Sequence, residues 1–287
     1  MKSIARGLLA STALFLTSFV ADAETLKDLA KHTPFHGVAI VHGGTAALLL
    51  ASHHGVFAVD ATGNAARLSP IQDFMGFFPS PANPLTFFAS GHPSTGGNVG
   101  FLKSIDGGAT WNHISDGLDG PVDFHQMDVS PTNPKTVYGS YDGLQVSHDG
   151  GQTWAASGPA PDKLIAIAAS GLVEGRLYAA TETGLQQSDD AGATWQMNGF
   201  GGKIVSMVKT APDHMLYAFV LGSGLMQANE QEPTKWQVLS NDFGQAVPLH
   251  MAVDAADPKH LVVTTQFNGV LESKDGGKLW AGFAGST

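Results

Sequence analysis

The sequence has no cysteine, and its only arginines among 287 residues are Arg6, Arg67 and Arg176. Without thiols, disulfides, thiolate metal sites and cysteine nucleophiles are excluded. Charge is scarce as well, at 14% of the chain, and acidic residues outnumber basic ones 25 to 15. No basic field exists to neutralise phosphates, so nucleic acid is not an expected partner. Long hydrophobic runs are also missing, with one exception near the start. Gly7 to Val20 is apolar, follows Lys2 and Arg6, and ends in Ala21-Asp22-Ala23. That is the order of an export signal with a small-x-small cleavage site, and it falls short of the about 20 apolar residues of a membrane span. Cleavage after Ala23 would remove Lys2, Arg6 and Asp22, leaving 13 basic and 24 acidic residues of the 15 and 25. The expectation is a periplasmic or secreted protein without a membrane span.

The chain does contain 35 Gly and 15 Pro within a 43% hydrophobic composition, a globular balance whose punctuation breaks up long helices. Only Thr25–His32 reads as a short helix. All five tryptophans recur on one period: Trp111, Trp154, Trp195, Trp236 and Trp280, spaced 43, 41, 41 and 44 residues apart. Four of them close the motif Ser-x-Asp-x-Gly-x-(Thr)-Trp, at Ser104–Trp111, Ser147–Trp154, Ser188–Trp195 and Ser273–Trp280, the last with Leu279 in place of Thr. A worn copy stands at Asp60-Ala-Thr-Gly63, and the segment before Trp236 keeps only Thr234. Short β-prone runs surround each copy, four per unit of roughly 40 residues, which is the blade of a propeller. Six units follow, about 36–70, 71–117, 118–158, 159–198, 199–241 and 242–287. The fold class is therefore all-β: a single six-bladed β-propeller over 36–287, preceded by the signal (1–23) and a lead segment (24–35).

The motif resembles the Asp-box, or bacterial neuraminidase repeat, whose superfamily includes sialidases, the sortilin ectodomain and photosystem II assembly-factor propellers. The resemblance covers essentially the whole chain after the signal. In the motif, Asp bonds turn amides, Gly supplies positive φ and Trp packs between blades. Asp106, Asp149, Asp190 and Asp275 are thus architecture, and no catalytic residue is nominated from them. Sialidases hold their substrate's carboxylate with three arginines, because planar forks match it bidentately. Two arginines after the signal cannot make that triad, so sialidase activity is not expected.

The histidines, 12 in all, do not follow the repeat. Aligning inner strands on Ser80-Pro-Ala-Asn-Pro84 and Ser130-Pro-Thr-Asn-Pro134 puts Met75 level with His125, and His36 falls at the same place in the first unit. The later units offer Lys163, Ile204 and Leu249, with His250 one residue beyond. Following chain direction, the ends of the second strands return to the same face, bringing His53 or His54 and His92 there as well. The predicted site is His36, His53, His54, Met75, His92 and His125 at the mouth of the axial channel, with the Asp-box turns on the opposite face. Imidazole and thioether without thiolate suit copper, while the histidines alone suit zinc or another imidazole-binding metal. Asp73 and Asp123, two residues before Met75 and His125, point the same way in an extended strand and either orient an imidazole or bind a hard cation. The remaining histidines, His32, His42, His113, His148, His214 and His260, read as ordinary surface or edge residues.

A narrower resemblance, on His36-Gly37, Asp73-Phe-Met75-Gly-Phe77, Ser90-Gly-His92-Pro93 and Asp123-Phe-His125, is to exported bacterial Asp-box proteins described as glycosyl-hydrolase-like. Pro34 and Gln72 stand where further histidines are expected in that group. Three functions compete: metal binding, with copper handling foremost; a non-catalytic scaffold for another exported protein; and glycan hydrolysis, with Asp73, Asp123 and Asp142 as the carboxylates able to form an acid–base pair.

Overall fold

A computed structural model describes residues 24–93 and 95–286, and the segment read as an export signal lies outside them. Among the described residues, no helix is long and apolar enough to cross a membrane. Six antiparallel sheets follow one another along the chain, each with four strands running in sequence order from the inner to the outer edge. These are the six blades of a propeller. The inner strands are Phe35–Ile40, Asp73–Pro79, Gln126–Val129, Leu164–Ala169, Val205–Thr210 and Pro248–Val253. A blade is covered on both faces by its neighbours, so its central strands read as continuous apolar runs rather than alternating ones. Met215–Val220, with the sequence MLYAFV, is buried at five of six positions for that reason.

The Asp-box turns join third to fourth strands and hold themselves together. In the Ser147–Trp154 copy, Ser147 Oγ donates to Asp149 Oδ1 and accepts from the Gly151 amide, while Asp149 accepts from the Thr153 amide and hydroxyl. The same bonds recur around Asp106 and Asp190. Those donors hold Asp190 down at about 2, with the Thr194 hydroxyl contributing most. Each carboxylate is saturated by its own turn. Each tryptophan stands one residue ahead of its outer strand, at the end of the turn. Trp111 and Trp280 donate Nε1–H to the carbonyls of Gly108 and Gly277.

The lead segment is part of the first blade. Glu24–Thr25 pairs with Asn64–Ala65 as a fifth, outermost strand, and a single helical turn, Leu26–Leu29, follows under a Thr25 N-cap. Both leucines are buried in a core shared by the first and last blades, with Val38, Leu48, Ala252, Val262 and Phe283. Among the described residues, no sheet combines strands from the two ends of the chain. The ring is therefore closed by packing and by polar ties across the seam. The carboxylate of Asp254 is the chief of these: it meets His42 Nε2 at 2.8 Å from the first blade and His260 Nδ1 at 3.1 Å from its own. His260 continues to Glu272 at 2.9 Å. His42, read from the sequence as an ordinary edge residue, thus crosses the closure, and His260 braces its partner Asp254 from within blade 6.

Burial opposes ionisation of Asp254, but the Ala256 amide and the two imidazoles outweigh it and hold the group down at about 2. A depressed carboxylate contributes stability that is complete above its unfolded value near 4 and is lost as pH falls towards 2. Asp254→Asn is expected to lower stability by about 1–3 kcal/mol at neutral pH. Acid unfolding followed by circular dichroism should show that difference shrinking between pH 4 and 2. A constant difference would mean that the tie is not electrostatic.

Candidate metal centre

The strand registers locate the channel mouth. Aligning the inner strands on the pairs Ile40–Leu48, Pro79–Phe87, Val129–Val137, Ala169–Leu177, Thr210–Leu216 and Val253–Leu261 brings His36, Met75, His125, Ile165, Ser206 and Leu249 to one height. The expectations of Lys163 and Ile204 are each corrected by two residues. Blades 4 and 5 lack the Ser-Pro-x-Asn-Pro anchor, and only the pairing sets their register. Lys163 is exposed and bonds Glu182 at 2.9 Å. The mouth is consequently divided, with histidine and methionine across blades 1–3 and largely apolar residues across blades 4–6.

On the first half, two groups of three side chains each bring their ligand atoms within 4.8 Å of one another: His36, His53 and Asp73; and His92, Asp123 and His125. Each crosses a seam between blades. His36 and His53 come from blade 1 and Asp73 from blade 2, whereas His92 comes from blade 2 and Asp123 and His125 from blade 3. His92 lies opposite Asp73 in the register, next to Gly91 at φ +132°. A Cβ on Gly91 would fall 2.2 Å from the Asp73 carbonyl, so only glycine lets these strands approach and hold His92 in place.

The first group is mostly shielded. His53 Nδ1 lies 2.6 Å from Asp73 Oδ2, and the His36 and His53 rings meet edge to face at 4.3 Å. Burial, and next the charge on His53, push His36 down to about 4 despite Asp73, so its imidazole is neutral at ordinary pH. In the second group, Asp123 Oδ2 meets His92 Nε2 at 2.8 Å and His125 Nε2 at 2.5 Å. The hydrogen bond to Asp123 raises His125 above its ordinary value, against burial. His92 Nδ1 lies 2.9 Å from the Gly97 carbonyl, which can only accept. A neutral His92 must then turn the lone pair of Nε2 towards a carboxylate oxygen. Such a contact is stable only with a proton or a cation between the two atoms.

Three atoms here are buried without any hydrogen-bond partner: His36 Nε2, Asp73 Oδ1 and Asp123 Oδ1. Unsatisfied buried polar atoms are costly, at about 1–3 kcal/mol each. His36 Nε2 and Asp73 Oδ1 stand 4.0 Å apart, too far for a hydrogen bond. Two ligands of one ion, at bonds of about 2.0–2.2 Å, stand roughly that far apart.

The remaining predicted residues are placed differently. His54 is exposed and its ring lies 6.4 Å from that of His32, so His53 is the one of the pair that joins the cluster. Met75 is buried on the inner strand of blade 2, and both groups are complete in histidine and aspartate without it. Asp142 sits in the turn after the second strand of blade 3, at φ +49°. His250 is the residue that the sequence reading passed over. It lines the axial cavity and is pushed down to about 4 by burial and then by the charge on His36. Its signal was its place directly after the aligned Leu249.

The BNR/Asp-box repeat family matches the chain at residues 145–156. No curated protein matches it in sequence. Among solved structures, the GH74 enzyme of Niastella koreensis is similar at 16% identity and a TM-score of 0.63, over 87% of this chain and 45% of that one. The chain therefore spans less than half the length of that enzyme. YCF48 bound to D1 peptide is similar at 14% identity and a TM-score of 0.54, over 87% and 81% of the two chains. A chain of the nidogen/laminin complex is similar at 14% identity and a TM-score of 0.58, over 83% and 90%. At these identities the likeness concerns the fold. With six successive four-stranded sheets, one of them extended by a lead strand, the chain is a six-bladed β-propeller that carries a match to the BNR/Asp-box repeat at residues 145–156.

Proposed function

We propose that the two seams bind divalent transition-metal ions, one in each, and that the protein is an exported metal-binding propeller serving copper handling. The observation that carries this reading is the set of three buried, unpartnered ligand atoms, His36 Nε2, Asp73 Oδ1 and Asp123 Oδ1, in a cluster of four histidines and two aspartates. Two imidazoles and a carboxylate suit Cu(II), Zn(II) or Ni(II), with copper kept as the first choice. Both carboxylates lie against imidazoles, so their geometry favours a metal over the acid–base pair of a glycan hydrolase. Arg67 is on an outer strand and Arg176 is paired with Asp189, which supports the exclusion of a sialidase.

The test is metal analysis of protein exported without a histidine tag, followed by titration of the stripped protein across pH. Two ions per chain are expected near neutral pH. Imidazole binds metal only when unprotonated, so the raised pKa of His125 makes its seam the first to release metal as pH falls. The His36 imidazole is neutral down to about 4, so protons compete for it less and its seam should hold metal to lower pH. A protein that takes up none of these ions at pH 7 would refute the reading.

A second reading draws on exposed apolar residues of the same face. Phe267 is 70% exposed in the turn after the second strand of blade 6, and Ile71 is 56% exposed before the inner strand of blade 2. A protein partner covering the mouth would bury them, in the manner suggested by the peptide-bound and laminin-bound propellers of similar fold.

A further inference from the structure

Below the mouth, a cavity of about 650 Å³ runs along the propeller axis. Its upper wall is unlike the cluster that borders it. Ile165 and Leu249 face the histidines across the mouth, and Met207 and Ala166 continue the apolar side one step further down. Ile165 and Leu249 are only half-buried, so apolar surface stays open beside a polar cluster whose own ligand atoms lack partners. His250, in the same wall, makes no hydrogen bond to another described side chain and is neutral at ordinary pH. It is available to a ligand oxygen as donor or acceptor.

The floor is equally specific. Lys209 extends from blade 5 across the axis, and its ammonium lies 4.3 Å from the ring centroid of Phe78 in blade 2, the blade opposite. Ala39 and Ala252, at the same height in blades 1 and 6, are small enough to leave that crossing room. His36 stands three residues above this level, which at the 3.3 Å rise of a strand is a depth of ~10 Å.

We infer that the axial cavity binds a small amphiphile: an anionic oxygen head that coordinates the metal at the His36 seam, and a linear apolar body that lies along Ile165, Leu249 and Met207 down to Lys209. This inference rests on the metal-site reading. Three-residue sites of this kind leave coordination positions open to a ligand. An apolar pocket with a few convergent polar groups at one end is the usual form of a small-molecule site. The ~10 Å depth accommodates about eight carbons of extended chain at roughly 1.3 Å each.

The test is calorimetric titration of the metal-loaded protein with straight-chain alkyl hydroxamates of increasing length. Affinity should rise about fourfold per methylene, the value for burying one CH₂, and level off near eight carbons. Ile165→Asn should flatten the rise while leaving metal content unchanged. Lys209→Ala should move the plateau to longer chains. A metal-loaded protein whose affinity is the same for every chain length overturns the amphiphile site and leaves the metal reading intact. Failure to bind metal at all overturns both. A plateau that stays in place in Lys209→Ala overturns the assignment of the floor.

Discussion

His125→Ala should leave the chain with one metal ion, His36→Ala should do the same, and the double variant should bind none. In the proposed arrangement each histidine belongs to a different seam, so the losses would be separable by stoichiometry. Removing an imidazole that touches the ion should weaken its seam by more than the roughly 10–100-fold that follows from altering a group outside the ligand set. The thermal transition of the metal-free protein should barely change on His125→Ala, because that side chain is 48% exposed and packs no core. The thermal upshift conferred by bound metal should shrink, since a ligand that binds only the folded state stabilises in proportion to its occupancy. Unchanged stoichiometry in both single variants would sink the two-seam arrangement, whatever the affinity.

The second large effect is structural. Trp154→Ala should destabilise by about 3–5 kcal/mol, the cost of emptying a large aromatic site. The sequence alone suggests that this would spare the metal site, since the Asp-box turn lies on the far face. The structure supplies a route by which the two faces would be linked. The indole stands 4.8 Å from the ring of Phe124, which is fully buried between Asp123 and His125, and 5.3 Å from Phe101. It also donates to Ser115 Oγ at 2.9 Å, tying blade 3 to blade 2. Loss of the indole therefore frees Phe124 to shift, and the His92 seam should weaken roughly 10-fold relative to the His36 seam, like other changes just outside a ligand set. Trp280→Ala makes the control. Its indole packs on Phe243, far from either seam, so it should lower stability to a similar extent without changing metal affinity. Denaturant unfolding and metal titration of both variants would decide; equal metal affinity in the two would break the proposed link through Phe124.

Phe74 repeats the device in blade 2. It lies between Asp73 and Met75 and meets Trp111 at 4.8 Å. In both blades the repeat's own architecture thus supports the residues that depart from the repeat.

The blade count, the strand order and the turns were determined by the sequence alone, because each depends on bonds within a few residues. An Asp-box closes inside eight positions, a tryptophan marks every blade after the first, and six such units curve into a ring whichever residues face the axis. Chain direction sufficed to place His36, His92 and His125 on one face. What only the tertiary structure decided are relations between blades. Lys163 and Ile204 gave way to Ile165 and Ser206 because register is set by pairing with the next strand. His53 rather than His54 turned inward, and Asp73 and Asp123 came to lie inside the ligand groups, because each seam is shared by two blades whose approach no single blade specifies. The closure through His42, Asp254 and His260 joins positions 212 residues apart along the chain, a separation at which sequence pattern carries no information about contact.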